Sequence, residues 1–80
     1  MKLPRNLSGS DLAKALGKVG YQVTRQKSSH IRHTTERNGQ HHITVPDHDP
    51  IKIGALADIL KDVAGHLALS RDELLLALFD

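Results

Sequence analysis

The sequence predicts a small α+β domain in which helices cover one face of a three-stranded antiparallel sheet. Three observations lead to this prediction. Apolar residues recur at helical spacing after Ser8 and again from Leu56 onward. Polar and apolar residues alternate in the stretches between these segments, as they do in half-buried strands. An Asn38-Gly39 pair separates two of the alternating stretches, and this pair is the strongest short signal for a β-hairpin.

The first helix is predicted to begin at Ser8 and to end by Gly20. Ser8 and Asp11 stand three positions apart, which is the spacing of a capping box. Glycine commonly follows the last turn of a helix because it adopts a left-handed backbone conformation without strain. The apolar residues that recur at helical spacing between these signals are Leu12, Ala15, Leu16 and Val19.

A strand is predicted to follow directly after this helix. Its signal is an alternation in which Tyr21, Val23 and Arg25 share one side. The residues that fall on the other side are Gln22, Thr24 and Gln26.

Two further strands are predicted over residues 29–35 and 41–45, on either side of the Asn-Gly pair. Their apolar residues Ile31, Ile43 and Val45 are expected to face the core. Pro46 ends the third strand because proline lacks the N–H that a sheet requires. The opposite, polar face of the second strand would carry His30, Arg32 and Thr34.

Two helices are predicted in the last third of the chain. The second helix is predicted to close near Gly65, which leaves His66 in a linker between helices. Ser70 and Glu73 have capping-box spacing and open a short third helix. The apolar residues of these helices are Leu56, Ile59, Leu60 and Val63, then Leu74, Leu75, Leu78 and Phe79.

The predicted order of elements is helix, three strands, helix, helix. The first five form the α-β-β-β-α arrangement of double-stranded-RNA-binding domains, and the last helix is an addition at the C-terminus. Eighty residues allow one small domain. We therefore expect a single domain over residues 1–80.

Charge is distributed unevenly along the chain, although the net charge is only +2. Between Leu12 and Thr35 there are five cationic side chains and no carboxylate, whereas from Ile51 onward five carboxylates face three cations. This asymmetry favours a nucleic-acid-binding face and a separate structural or partner-binding face, and the alternative is an unevenly charged solvated surface.

Cysteine usage and hydropathy set further bounds. The chain has no cysteine, so disulfides and thiolate metal sites are excluded. No segment approaches the roughly 18 apolar residues that a membrane helix needs, and the first residues lack the apolar run of a signal peptide. We expect a cytoplasmic protein that does not associate with membranes.

The most informative stretch is residues 25–32, which combines three cations, two hydroxyls and one imidazole with no carboxylate. Such groups suit a phosphate ligand, and a histidine titrates near physiological pH, so His30 could contribute to cleavage of nucleic acid as well as to binding. On this chemistry alone, an ordinary exposed strand histidine is the simpler interpretation. The candidate phosphate-binding residues are Arg25, Lys27, Ser28, Ser29 and Arg32, together with Lys52 just before the second helix.

Six histidines raise the question of a metal site. His41 and His42 are adjacent, and His30 and His33 are three apart, so within each pair the side chains point to opposite faces of a strand. No strand therefore presents three ligands on one face. We predict no metal site and no cofactor.

Several short motifs occur in order along residues 5–65. They are Ser8-Gly9, Gly20-Tyr21, Ser28-Ser29-His30, Ile43-Thr44-Val45-Pro46 and Ile53-Gly54-Ala55-Leu56. Taken in this order they resemble the HicA toxin family, whose Gly-Ser-His motif corresponds to Ser28-Ser29-His30 with serine in place of glycine. This resemblance implies a core in residues 5–65 and a C-terminal helical extension in 66–80.

The resemblance implies a toxin of a type II toxin–antitoxin pair that acts as a metal-independent endoribonuclease on mRNA. It implies that His30 is the catalytic general acid or base, and that a HicB-type antitoxin neutralises the toxin, with any oligomer formed through that complex. One alternative is a non-catalytic module that binds structured RNA. Another is an interaction protein that docks a partner through its leucine-rich tail, namely Leu69, Leu74, Leu75, Leu78 and Phe79.

Overall fold

The computed structural model describes residues 3–80. In chain order the elements are α1 (Gly9–Gly17), β1 (Gln22–Lys27), β2 (His30–Thr35), β3 (His41–Pro46), α2 (Ile53–Leu67) and α3 (Arg71–Phe79). The strands form one antiparallel sheet in the order β1-β2-β3. The predicted α+β fold, with the double-stranded-RNA-binding arrangement and an additional C-terminal helix, is confirmed.

Both predicted capping boxes are present. At the start of α1, the Asp11 N–H donates to Ser8 Oγ (3.1 Å) and the Ser8 N–H donates to the Asp11 carboxylate (3.2 Å). The Ser8 N–H also holds the pKa of Asp11 below its usual value. At the start of α3, Ser70 and Glu73 make the same two bonds, at 3.1 and 2.8 Å. These reciprocal bonds satisfy N–H groups that the first helical turn leaves without partners.

The helix α2 extends beyond its predicted end. It continues through Gly65 to Leu67 and stops at Ala68, which adopts a left-handed conformation with φ 57°. The expectation that His66 lies in a linker is therefore wrong. The His66 side chain reaches the turn between β2 and β3, where Nε2 lies 2.9 Å from the carbonyl oxygens of Arg37 and Gly39. This tertiary contact stabilises the last turn of α2.

The C-terminal leucines complete the hydrophobic core. Leu74, Leu75 and Leu78 are each only 1% exposed and pack in the same cluster as residues of α1, α2 and β3. Leu69 and Phe79 pack partly buried against that cluster. The alternative in which the leucine-rich tail docks a partner is therefore wrong for the three buried leucines.

The faces of β2 and β3 follow the predicted alternation. Ile31, Ile43 and Val45 are buried on the helix side. His33 is also fully buried there, and within residues 3–80 neither of its ring nitrogens has a hydrogen-bond partner. Burial lowers the pKa of His33, which favours the neutral ring. The predicted hairpin between these strands is confirmed, and Asn38 and Gly39 both have positive φ, at 58° and 95°.

No helix within residues 3–80 is long and apolar enough to cross a membrane.

Candidate functional site

One face of the sheet, here called the open face, is covered by no helix among residues 3–80. The strand register pairs Arg32 with Thr44 and Thr34 with His42, so these side chains share that face with His30. None of them is buried, and the neighbouring positions along β2 and β3 point into the core. The strands β1, β2 and β3 contain no aspartate or glutamate at any position. The strand positions of the open face therefore carry only neutral and basic side chains.

A β-bulge brings the cations of β1 onto this open face. Strict alternation from Tyr21 and Val23 would direct Arg25 towards the helices. The register instead shifts between Val23 and Arg25, so Arg25 lies opposite Arg32 and Lys27 lies opposite His30. One extra residue in a strand changes which face the following residues occupy. The strand β1 is thus confirmed as an element, but its alternation is interrupted.

The resulting surface is a shallow cleft of about 280 Å³ lined by Arg25, Lys27, His30, Arg32 and Thr44. Within residues 3–80, none of the three cations has an ion-pair partner. Like charges directly opposite each other across a sheet destabilise it. Arg25 opposite Arg32 is such a pair, and a bound anion would relieve its repulsion. The cleft is therefore suited to a phosphate group.

Ser28 and Ser29 form the two-residue loop that joins β1 to β2 at the edge of this cleft. Neither serine lines the cleft. The Ser29 carbonyl accepts a hydrogen bond from the Asp47 N–H (2.7 Å), which fixes the loop to the end of β3. Ser28 has φ 57°, whereas Ser29 has no positive φ. Positive φ at only the first loop residue is the pattern of a type II′ turn, where glycine is preferred. Serine occupies this position at some cost in strain.

Replacing Ser28 by glycine is therefore expected to stabilise the protein. A left-handed conformation costs an L-residue about 1–2 kcal/mol, and Ser28→Gly removes this cost from the folded state. Glycine loses more conformational freedom on folding than serine does, which offsets about 0.5–1 kcal/mol of this stabilisation. The net increase should be about 0.5–1 kcal/mol, measured by urea or thermal unfolding. Ser29→Gly is the matched control and should lower stability, because φ at residue 29 is not positive. Equal destabilisation by both variants would contradict this account of the turn.

Lys52 is the one predicted site residue that lies apart from the sheet loop and the cleft. It is the N-cap residue of α2, with φ −60° and ψ 138°, and its side chain makes no capping bond. It does not line the cleft. The structure thus brings together Arg25, Lys27, His30 and Arg32, with the two serines beside them. Thr44 is not among the predicted site residues, and its register position opposite Arg32 brings it into the cleft.

A second polar cluster connects β3 with α2 on the helix side. Tyr21 Oη lies 2.8 Å from His41 Nδ1, and His41 Nε2 lies 3.2 Å from Asp62 Oδ1. The rings of His41 and His66 stack with their centroids 4.3 Å apart. Burial, with a contribution from Asp62, raises the pKa of Tyr21 to about 12. Sequence spacing gave no sign of this cluster, because its members come from β3, from α2 and from the residue just before β1. Within residues 3–80 no group of three or more side chains could hold a metal ion.

The fold and the open face together define a class of protein. It is a small α+β domain of the double-stranded-RNA-binding type, with a cationic cleft on the uncovered side of its sheet. Residues 9–64 match a family model described as the HicA toxin of bacterial toxin–antitoxin systems. The chain belongs to the HicA toxin family, and it is a toxin of a toxin–antitoxin system. Toxins of this family are in general ribonucleases. Comparisons with curated proteins and with solved structures gave no match.

Proposed function

We propose that this toxin is a metal-independent endoribonuclease that cleaves mRNA at the cleft on the open face of its sheet. The observation that carries the proposal is the position of His30, which lies directly opposite Lys27 in a cleft with two arginines and no carboxylate. An imidazole among cations is suited to acid–base chemistry on a phosphodiester.

The chemistry assigned to the cleft starts from the substrate. RNA supplies its own nucleophile, the 2′-hydroxyl, so the protein must move protons and stabilise charge. His30 acts as a general acid or base, either removing the 2′-hydroxyl proton or protonating the 5′-oxygen that leaves. Arg25, Lys27 and Arg32 offset the charge that develops on the phosphate. Among residues 3–80, His30 is the single histidine that lines the cleft. With one acid–base group, we expect a slow nuclease.

The other predicted site residues are proposed to bind the RNA backbone without taking part in cleavage. Ser28 and Ser29 would donate hydrogen bonds to phosphate at the loop beside the cleft. Lys52 would contact a phosphate at the start of α2, where the helix N-terminus also favours anions. A HicB-type antitoxin would neutralise the toxin in the cytoplasm by covering the open face, and oligomers would form through that complex.

The proposal predicts that the purified chain cuts mRNA in the presence of excess EDTA. Attack by the 2′-hydroxyl leaves a 2′,3′-cyclic phosphate on one product and a 5′-hydroxyl on the other, so the product ends are analysed by mass spectrometry. Cleavage that disappears with EDTA and returns with Mg²⁺ would refute the metal-independent mechanism. Binding without any cleavage would instead favour the non-catalytic RNA-binding module.

A contaminating nuclease must be excluded in this assay. The control is the His30→Ala variant, purified by the same procedure. An unchanged cleavage pattern in that preparation would assign the activity to a contaminant or to other residues.

A further inference from the structure

The open face carries a second ordered group beside the cleft. The Thr24 and Thr34 hydroxyl oxygens lie 2.8 Å apart, and Thr34 Oγ1 lies 2.7 Å from His42 Nδ1. These three residues come from β1, β2 and β3 respectively, so the hydrogen bonds run across the whole sheet. We call this group the threonine–histidine row.

Thr24 is part of this row because of the bulge. It is the extra residue between Val23 and Arg25 in the β1–β2 register. The same irregularity that turns Arg25 towards the open face therefore places the Thr24 hydroxyl against Thr34. The cleft and the row are consequences of one feature of the backbone.

His42 presents one ring nitrogen to solvent. Its Nδ1 is held by Thr34, while no residue within 3–80 hydrogen-bonds its Nε2. The side chain is exposed. When the Thr34 hydroxyl donates to Nδ1, the neutral ring carries its proton on Nε2, and the protonated ring also carries one there. In that arrangement the row holds the imidazole in a fixed orientation with an N–H donor directed outward.

The spacing along the strands relates the row to the catalytic cleft. His30 lies opposite Pro46, Arg32 opposite Thr44, and Thr34 opposite His42. Successive same-face positions lie about 6.6–6.8 Å apart, so the row lies roughly 13 Å from the His30 position along the sheet. With no carboxylate in any of the three strands, an RNA backbone crossing this distance meets no repulsive side chain from the strands themselves.

We infer that the threonine–histidine row is a second RNA-binding subsite, in which His42 Nε2–H donates to a backbone phosphate of a nucleotide beyond the cleaved one. This inference rests on the proposed function for its assignment of the cleaved phosphate to His30. His42 here contributes to binding and takes no part in bond cleavage. Its contribution depends on substrate length, because a dinucleotide has one internal phosphate and cannot occupy the cleft and the row together.

The experiment compares two RNA probes on the full chain. Both are 2′-O-methylated, so they lack the nucleophile and stay intact: one is an octanucleotide and the other a dinucleotide. NMR titration follows binding even when it is weak. His42→Ala should weaken octanucleotide binding by about tenfold, the value of one hydrogen bond to a charged group, and leave dinucleotide binding unchanged. The Thr34→Val variant keeps the branched side chain but removes the hydroxyl that holds His42. It should weaken octanucleotide binding by less than His42→Ala does, and it should leave dinucleotide binding unchanged.

The matched control is His48→Ala. His48 is an exposed histidine of the loop before α2, whose main-chain carbonyl rather than side chain is used in the fold. The His48→Ala variant should bind both probes with the affinity of the unmodified chain. The second subsite would be rejected if His42→Ala weakened the binding of both probes equally, or if it left octanucleotide binding unchanged.

A cleavage assay on unmodified RNA separates this inference from the proposed function. If the octanucleotide shows the His42 dependence but unmodified RNA is not cut, the nuclease proposal fails and the second subsite stands. If unmodified RNA is cut and His42→Ala leaves octanucleotide binding unchanged, the second subsite alone is rejected.

Discussion

Replacing His30 by alanine is expected to reduce RNA cleavage by about 10²- to 10⁴-fold, the usual contribution of a positioned general acid or base. The fold should be unaffected. The His30 ring is exposed and makes no hydrogen bond within residues 3–80, while the backbone of the residue stays paired with Lys27 and Pro46. The rate is measured on a fluorescently labelled RNA, and the midpoint of thermal unfolding is measured on the same preparation. In cells, induced expression of the variant should no longer arrest growth.

The control for this prediction is again His48→Ala, an exposed histidine outside the cleft. It should cleave RNA at the rate of the unmodified chain and arrest growth in the same way. A His30→Ala variant that folds normally and keeps full activity would remove His30 from the mechanism. The acid–base group would then have to be sought elsewhere on the open face, where His42 is the other histidine.

Local patterns predicted β2, β3 and the capped starts of α1 and α3 well, because each of these depends on neighbouring residues. The alternation of Ile31 and Ile43 with polar residues fixed which face of each strand is buried. The spacing of Ser8 and Asp11 predicted a capping box that is present. These signals act within one helical turn or one strand, so the residues responsible are close together in the sequence and can be recognised from it.

Features that depend on contacts between distant segments were not predictable in the same way. The bulge beside Thr24 depends on how β1 aligns with β2, and no glycine or proline marks it in the sequence. Gly65 was a reasonable helix end, but the bonds from His66 to the β2–β3 turn keep α2 helical beyond it. The run of residues 25–32 indicated a phosphate site, whereas the arrangement of its cations on one face followed from the bulge.

Replacing Gly9 by alanine is expected to destabilise the fold by about 1–3 kcal/mol, the usual cost of extra volume in a packed site. Gly9 is buried at the start of α1. A Cβ at this position would lie 2.9 Å from the Pro46 carbonyl oxygen and 3.0 Å from Asp47 Cα. Both are main-chain atoms, which cannot move aside as the end of a flexible side chain can.

The surrounding backbone is fixed on two sides. The Gly9 N–H donates to the His48 carbonyl (2.9 Å), and the Asp47 N–H donates to the Ser29 carbonyl (2.7 Å). Moving α1 away from the end of β3 would strain the first of these bonds, and moving Asp47 would strain the second. Because Ser29 immediately precedes His30, the second movement would also disturb the cleft.

Gly65→Ala is the matched control, because it makes the same change inside α2, where the added Cβ has no atom within 4 Å apart from the adjoining backbone of its own helix. Alanine is favoured over glycine in a helix interior by about 0.8–1 kcal/mol, so Gly65→Ala should raise stability. Helix propensity alone predicts that alanine raises stability at Gly9 as well. A gain of stability for Gly65→Ala together with a loss for Gly9→Ala would therefore be due to the steric contact with Pro46 and Asp47. For a domain of this size the melting temperature should fall by about 4–8 °C per kcal/mol lost. A Gly9→Ala variant that melts at or above the temperature of the unmodified chain would show that α1 and the end of β3 are not packed this closely.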